Sequence, residues 1–98
     1  MKSGTYSIYD TASGLFSTPF LRQRDAEAIR DFDDLIADGS SKPSTHPEDF
    51  ALVRIANFND GTGDYENEHN VTLRTGLASR SASRQIVKDL DEPPATGS

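Results

Sequence analysis

The chain has 98 residues, a net charge of −6, 34% hydrophobic residues and no cysteine. This length allows one domain with a modest core. The lack of cysteine excludes a disulfide framework and thiolate metal sites. No apolar run approaches the ~18 residues that a membrane helix needs, and no apolar signal-peptide segment follows the N-terminus. We therefore expect a protein of the cytoplasm, with no membrane contact.

Apolar residues and charges are unevenly distributed. Residues 1–73 hold most of the apolar side chains and carry a charge of −7, from 13 acids and six bases. Residues 74–98 carry +1, from four bases and three acids, and are rich in small polar residues. We predict one domain over residues 1–73 and a flexible polar tail over residues 74–98. An acidic body repels phosphate at long range, which is the main physical objection to nucleic-acid binding.

Two strands are the first predicted elements. Tyrosine and isoleucine in residues 5–10 favour a strand, and residues 11–14 are typical of a turn. Residues 15–21 predict a second strand that Pro19 interrupts. Because proline cannot donate a ladder hydrogen bond, this strand should be irregular or lie at an edge.

An amphipathic helix is predicted over residues 25–38. Ile29, Phe32 and Ile36 fall on one apolar stripe at helical spacing. Asp25 is placed to cap the helix at its start, and Gly39 is placed just past its end. The remaining aspartates lie off the stripe, so packing on one face should hold this helix.

The second half of the chain predicts a hairpin. Residues 50–58 are apolar on both faces, which is typical of an inner strand. Residues 59–63 carry a tight-turn signal, and residues 64–68 form the return strand. The order β-β-α-β-β predicts an α+β fold, a small antiparallel sheet covered by one helix, with a disordered C-terminal tail.

The second face of this sheet is left open by the sequence. It can be wet, covered by the tail, or covered by another subunit. Val53, Ile55 and Tyr9 supply apolar surface there, and for that reason we favour a second subunit. The chain is therefore expected to form a homo-oligomer.

The patterns of catalytic and metal sites are incomplete. Residues 60–71 resemble a calcium loop, but Tyr65 stands where glycine is needed and Val71 where glutamate is needed. His46 and His69 lack a third ligand at zinc spacing. We find no Gly-x-Ser-x-Gly elbow and no Walker loop. We therefore expect no enzyme activity, no catalytic residue, no cofactor and no metal.

Arginines near aromatic side chains suggest contact with nucleic acid. Single-stranded DNA is bound by rings that stack bases and by guanidinium groups that neutralise phosphates. The tail has no acid between Arg74 and Lys88, so it can act locally despite the net charge. The DNA-binding candidates are Arg22, Arg24, Tyr9, Arg74, Arg80, Arg84 and Lys88. The competing interpretation, favoured by the shortage of apolar residues, assigns each aromatic to the core.

Two segments at a fixed distance carry a resemblance to a known family. The first is Tyr6-Ser7-Ile8-Tyr9-Asp10 followed by Pro19-Phe20, and the second is His46-Pro47-Glu48-Asp49-Phe50 followed by Phe58-Asn59-Asp60 and Gly61-Thr62-Gly63. Over roughly residues 5–66, the chain resembles the small nonstructural protein of gokushovirus-type microviruses, which are phages with single-stranded DNA genomes. The tail is longer than in typical members, so its role stays outside this resemblance.

The resemblance implies a nonstructural phage protein of the host bacterial cytoplasm. It would act in genome replication or in the switch to single-stranded DNA synthesis, by weak, non-catalytic binding of single-stranded DNA. Its candidate partners are this DNA and phage or host replication proteins. The alternative is an adaptor that regulates a replication or assembly protein through its acidic helix face, without DNA contact. A third interpretation is a self-assembling, scaffold-like protein.

Overall fold

The predicted α+β architecture is confirmed, since a five-stranded antiparallel sheet packs against a helix. The computed structural model describes residues 2–82, apart from the Glu68 side chain. The strands are β1 (Lys2–Asp10), β2 (Leu15–Phe16), β3 (Phe20–Arg22), β4 (Phe50–Asn59) and β5 (Asp64–Thr75). The helices are α1 (Asp25–Ala37) and α2 (Lys42–Thr45), a 3₁₀ turn spans Pro47–Asp49, and residues 76–82 are helical.

The apolar strand β4 lies inside the sheet, as its sequence predicts. The strand order is β2-β1-β4-β5, and β3 also pairs with β1. The predicted second strand therefore forms as two short pieces on the same edge of β1. Between them, Ser17 bonds back to β1: its backbone N–H donates to the Ile8 carbonyl, and its Oγ accepts from the Ile8 N–H, both at 2.9 Å.

The core lies between α1 and one face of the sheet. Tyr6 of β1 and Leu52 of β4 are almost fully buried against α1. Ala28, Phe32 and Ile36 are the buried residues of α1, which confirms the predicted apolar stripe. Burying a large apolar side chain contributes about 1.5–3 kcal/mol, so these contacts hold a helix whose own propensity is modest.

The two ends of α1 differ from each other in how they are capped. The predicted cap by Asp25 is wrong: Arg24 is the N-cap residue, without a side-chain capping bond, and Asp25 is the first helical residue. At the other end Gly39 adopts φ +83°, as predicted. Asp38 accepts hydrogen bonds from the backbone N–H groups of Ser40 and Ser41. These bonds lower the pKa of the Asp38 carboxyl.

Both long strands of the second hairpin are irregular in register. In the ladder between β1 and β4, Thr5 pairs with Ala56 and Tyr6 with Arg54, so Ile55 of β4 bulges from it. On β5, Arg54 pairs with Val71 and Ala56 with Asn67, so residues 68–70 bulge from the ladder with β4. A second shift leaves Leu73 out of the ladder, between the pairs Leu52–Arg74 and Val53–Thr72.

The chain stays folded beyond the predicted domain boundary. β5 continues to Thr75, past the boundary placed after Leu73, and a helical segment follows. This segment docks through polar groups: the fully buried Ser79 Oγ donates to Asp33 Oδ1 at 2.6 Å. The flexible tail predicted from residue 74 is therefore corrected for residues 74–82. Its remainder, residues 83–98, lies outside the described residues.

Candidate single-stranded DNA interface

Two aromatic pairs lie on the sheet face opposite α1, which we call the aromatic face. Side chains alternate along a strand, so Tyr9 points away from the core that Ile8 and Tyr6 contact. Tyr9 pairs with Phe16 across β1 and β2, with ring centroids 4.6 Å apart. Phe16 remains 46% exposed, so its ring is open to a stacking partner.

The second pair lies at the other end of the aromatic face. Phe58 of β4 stands opposite Tyr65 of β5, with ring centroids 5.1 Å apart. Tyr65 is 59% exposed. The two pairs are separated by six positions along β1, or roughly 20 Å at the usual strand rise. Phe58 and Tyr65 are not among the site residues predicted from the sequence, although the turn at residues 59–63 fixes the register that brings them together.

Arg22 and Arg24 do not lie beside Tyr9. Arg22 pairs with Gly4 in the sheet, which places it on the α1 side. Its Nε donates to Asp31 Oδ2 at 2.6 Å, and its guanidinium lies 5.4 Å from the Phe20 ring centroid. Arg24 is exposed at the start of α1. The sheet therefore separates these two cations from the aromatic face.

Arg74 and Arg80 hold the end of the described chain against α1 and α2. The Arg74 guanidinium lies 3.8 Å from Asp33 Oδ2, and Arg80 donates to the backbone carbonyl of Ser44. Both cations are only partly exposed, so they are poorly placed to meet phosphate. Arg84 and Lys88, the other two tail candidates, lie outside the described residues.

A partly buried polar network joins the core to the start of α1. Tyr6 donates its hydroxyl proton to Asp25 Oδ1 at 2.7 Å, and Arg54 donates to Asp25 Oδ2. Burial, followed by the bond to this carboxylate, raises the pKa of Tyr6 above its ordinary value of 10.0. Burial alone would also raise the pKa of Asp25, but the bonds from Tyr6 and Arg54 outweigh it and lower that pKa. The network is a structural link and faces away from the aromatic face.

Three carboxylates of α1 form ion pairs with arginines of the sheet. Arg22 of β3 pairs with Asp31, Arg54 of β4 with Asp25, and Arg74 of β5 with Asp33. Much of the acidic character that suggested a docking face for a basic partner is thus directed at the chain's own sheet. Glu27 and Asp34 remain exposed on the outside of α1.

One cluster of metal-ligand types occurs in the described part of the chain. His46, Glu48 and Asp49 each offer an atom within 4.8 Å of the others, and His46 Nδ1 lies 3.7 Å from Glu48 Oε1. His46 and Glu48 are exposed, and short acidic turns of this kind are common on protein surfaces. The absence of a metal site therefore stays a prediction.

None of the helices in residues 2–82 has the length and apolarity needed to cross a bilayer. A family model described as Phage ORF5 protein matches residues 3–79 of the chain. That stretch includes both aromatic pairs, α1 and the docked Ser79. No curated protein and no solved structure matches the chain.

Proposed function

Because the chain belongs to the Phage ORF5 protein family, we propose that it is a nonstructural phage protein that binds single-stranded DNA weakly and without catalysis. The proposal places it in viral genome replication or in the switch to single-stranded synthesis. The resemblance over residues 5–66 points to these processes, and the family match supports the phage origin.

The observation that carries the proposal is the exposure of the aromatic face. Phe16 and Tyr65 keep 46% and 59% of their surface in water although each already packs against a tilted partner ring. An unstacked base can cover such a ring, and base stacking on an aromatic side chain contributes about 1–3 kcal/mol per base. The aromatic face is also free of the aspartates that accumulate on α1.

Phosphate contacts must come from cations that the fold leaves available. Arg22, Arg74 and Arg80 are occupied by groups of the chain itself. Arg84 and Lys88 follow the described residues and are the remaining basic candidates of the tail. With few phosphate contacts and a net charge of −6, binding should be weak and should depend on stacking more than on ion pairing.

The adaptor hypothesis is less well supported by the geometry. It relies on a free acidic helix face, whereas Asp25, Asp31 and Asp33 are paired with arginines of the sheet. A basic partner would have to use Glu27 and Asp34 or break these pairs.

The test is the binding of a fluorescent single-stranded oligonucleotide, followed by anisotropy at low and moderate salt. Phe16→Ser and Tyr65→Ser should each weaken binding by about tenfold, because one stacked base contributes on the order of 1.4 kcal/mol. Leu15→Ser is the matched control, since Leu15 adjoins Phe16 in β2 and is 67% exposed. Its affinity should equal that of the wild type.

The contribution of the tail is measured in the same assay. The double change Arg84→Gln and Lys88→Gln should lower affinity at low salt and flatten the salt dependence, because each lost phosphate contact removes a released counterion. Absence of binding by the full chain at low salt would refute the DNA proposal. Equal binding by Phe16→Ser and Leu15→Ser would refute the role of the aromatic face.

A further inference from the structure

The outer edge of β5 is a surface that the proposed function does not use. β5 is 12 residues long and is the last strand in the sheet order. No strand within residues 2–82 pairs with its outer edge. The backbone N–H and C=O groups along such an edge form a template on which another strand can add.

The opposite edge of the sheet does not allow the same addition of a strand. It consists of β2 and β3, which are two and three residues long. Pro19 stands between them and cannot donate a ladder hydrogen bond. Strand addition within the described part of the molecule is therefore directed to β5.

The charge pattern of β5 favours antiparallel pairing with an identical strand. Its first half carries the exposed Asp64 and Glu66, whereas its second half carries Arg74 and no acid. Parallel pairing in register would place acids opposite acids, and like charges directly opposite each other are destabilising. Antiparallel pairing places the acidic half of one strand beside the half without acids in the other, whose Arg74 is already paired with Asp33.

Exposed apolar surface and a groove accompany the second half of β5. Val71 and Leu77 are 38% and 55% exposed. An open groove of about 390 Å³ is lined by residues 72–75 and Ala78. Pairing of the two strands would therefore also cover apolar side chains.

We propose that two copies of this chain form a dimer by antiparallel pairing of β5 with β5, about a two-fold axis near His69 and Asn70. The axis then falls at the bulge of residues 68–70, where β5 leaves the ladder with β4. The part of β5 before the bulge meets the part after the bulge in the second copy. Because the same edge is used on both copies, the contact is self-complementary and assembly stops at two.

The dimer follows from the edge of the sheet and does not depend on DNA binding. It has one consequence for the aromatic face, since antiparallel strands side by side keep the same face of both sheets on one side. Two aromatic faces would then share one surface. Two weak sites held together act at a raised effective concentration, without any new contact.

Sedimentation equilibrium of the full chain without DNA is the first test. The proposal expects twice the 10.7 kDa mass of one chain. A monomer over the whole accessible concentration range overturns the proposal. It leaves the DNA proposal untouched, because that proposal is measured separately by oligonucleotide binding.

Single cysteines locate the interface, and the chain contains none of its own. Opposed residues of antiparallel strands have Cα atoms about 4.5–5.5 Å apart, within the range of a disulfide. His69→Cys and Asn70→Cys are both at exposed positions of the bulge. One of the two should give covalent dimers under mild oxidation, because a two-fold axis between antiparallel strands sets only one residue opposite its own copy. Ser13→Cys, exposed in the turn before β2, is the control.

The expected result is cross-linking at residue 69 or 70 that is on the order of a hundredfold faster than at residue 13, because pairing holds the thiols at a high effective concentration. Equal rates at all three positions overturn the proposal. A dimer by sedimentation that cross-links at residue 13 and at neither bulge position also overturns it, since the interface would then lie on the opposite edge.

Discussion

Asp25 is the residue at which three elements meet. Its carboxylate accepts the Tyr6 hydroxyl of β1 and the Arg54 guanidinium of β4, while its backbone begins α1. A carboxylate that accepts from two donors orients both of them, and hydrogen bonds to a charged acceptor are stronger than neutral ones. This side chain therefore fixes the start of α1 relative to the sheet, which a helix cap would not do.

Tyr6→Phe tests the network at the level of one atom. The variant keeps the buried ring and removes the donor to Asp25, so the free energy of unfolding at neutral pH should fall by about 1.5–3 kcal/mol. Urea denaturation measures the change. Tyr65→Phe is the matched control, because Tyr65 is 59% exposed, and its effect should stay within about 0.5 kcal/mol.

The same pair of variants gives a pH dependence with a definite sign. The pKa of Tyr6 is raised in the folded protein above its ordinary value of 10.0. Its stabilising contribution is therefore complete below pH 10 and is lost as the pH rises above 10 toward the folded pKa. The wild type and Tyr65→Phe should lose this stability in alkali, and Tyr6→Phe should lack that loss. Parallel alkaline profiles for all three proteins would contradict the assignment.

At the scale of elements, α1 is held by packing and aligned by ion pairs. Exposed ion pairs contribute about 0–1 kcal/mol each, and the arginine–aspartate pairs at Asp31 and Asp33 are both partly exposed. The burial of Phe32 and Ile36 therefore stabilises the helix more than these pairs do. The pairs instead link α1 to β3 and β5.

The junction between β5 and the helical segment depends on a glycine. A Cβ on Gly76 would lie 2.1 Å from the backbone carbonyl oxygen of Pro47. Backbone cannot yield as a flexible side chain can, so Gly76→Ala should force the segment off the 3₁₀ turn. We expect a loss of about 1–3 kcal/mol in the free energy of unfolding, as for other overpacked sites.

Gly61→Ala provides the comparison for this change. A Cβ there would meet only the side-chain oxygen of Asn59, at 3.3 Å. Its urea midpoint should lie close to that of the wild type. Equal midpoints for Gly76→Ala and Gly61→Ala would show that the segment is not packed against Pro47 in solution.

At the scale of the whole molecule, the folded unit extends past the boundary that apolar content suggests. Asp33 of α1 accepts a hydrogen bond from Ser79 and forms an ion pair with Arg74. These two contacts attach the end of the described chain to the middle of α1. These contacts are polar: one is a hydrogen bond from Ser79 and the other is an ion pair with Arg74. They add little to hydrophobicity, the property from which a domain boundary is usually inferred.

Two truncations measure this extension. A chain ending at Leu73 loses the end of β5 and both partners of Asp33, whereas a chain ending at Ala82 retains them. The shorter chain should be less stable by at least about 2 kcal/mol, since it loses a hydrogen bond to a charged group, and should show a smaller urea m-value. Coincident denaturation curves would restore the boundary at residue 73.

Local sequence patterns predicted correctly those features in which one residue type determines the backbone conformation or the buried face of an element. The stripe of Ile29, Phe32 and Ile36 predicted α1 and its buried side. Pro19 predicted the broken edge, and Gly39 predicted the left-handed helix end. Each of these features rests on contacts or conformations within a few residues, which a sequence displays directly.

The candidate site was only partly predictable. The sequence placed Tyr9 near Arg22, because the predicted first hairpin brings the two segments together. In the structure the two side chains lie on opposite faces of the sheet, because successive side chains of a strand alternate between faces. Tyr65 joined the site only through its register with Phe58 across the hairpin. Proximity along a strand thus gives no information about which face a side chain occupies until the core face is known.

The sequence by itself determined the α+β class, the order of the elements and the apolar side of the helix, because periodicity and turn chemistry are local properties. Only the tertiary structure decided which charges remain available. Pairing of Asp25, Asp31 and Asp33 with arginines from three different strands brings together residues far apart in the chain. An ion pair forms where folding brings opposite charges close together. A local sequence pattern contains no information about such long-range contacts.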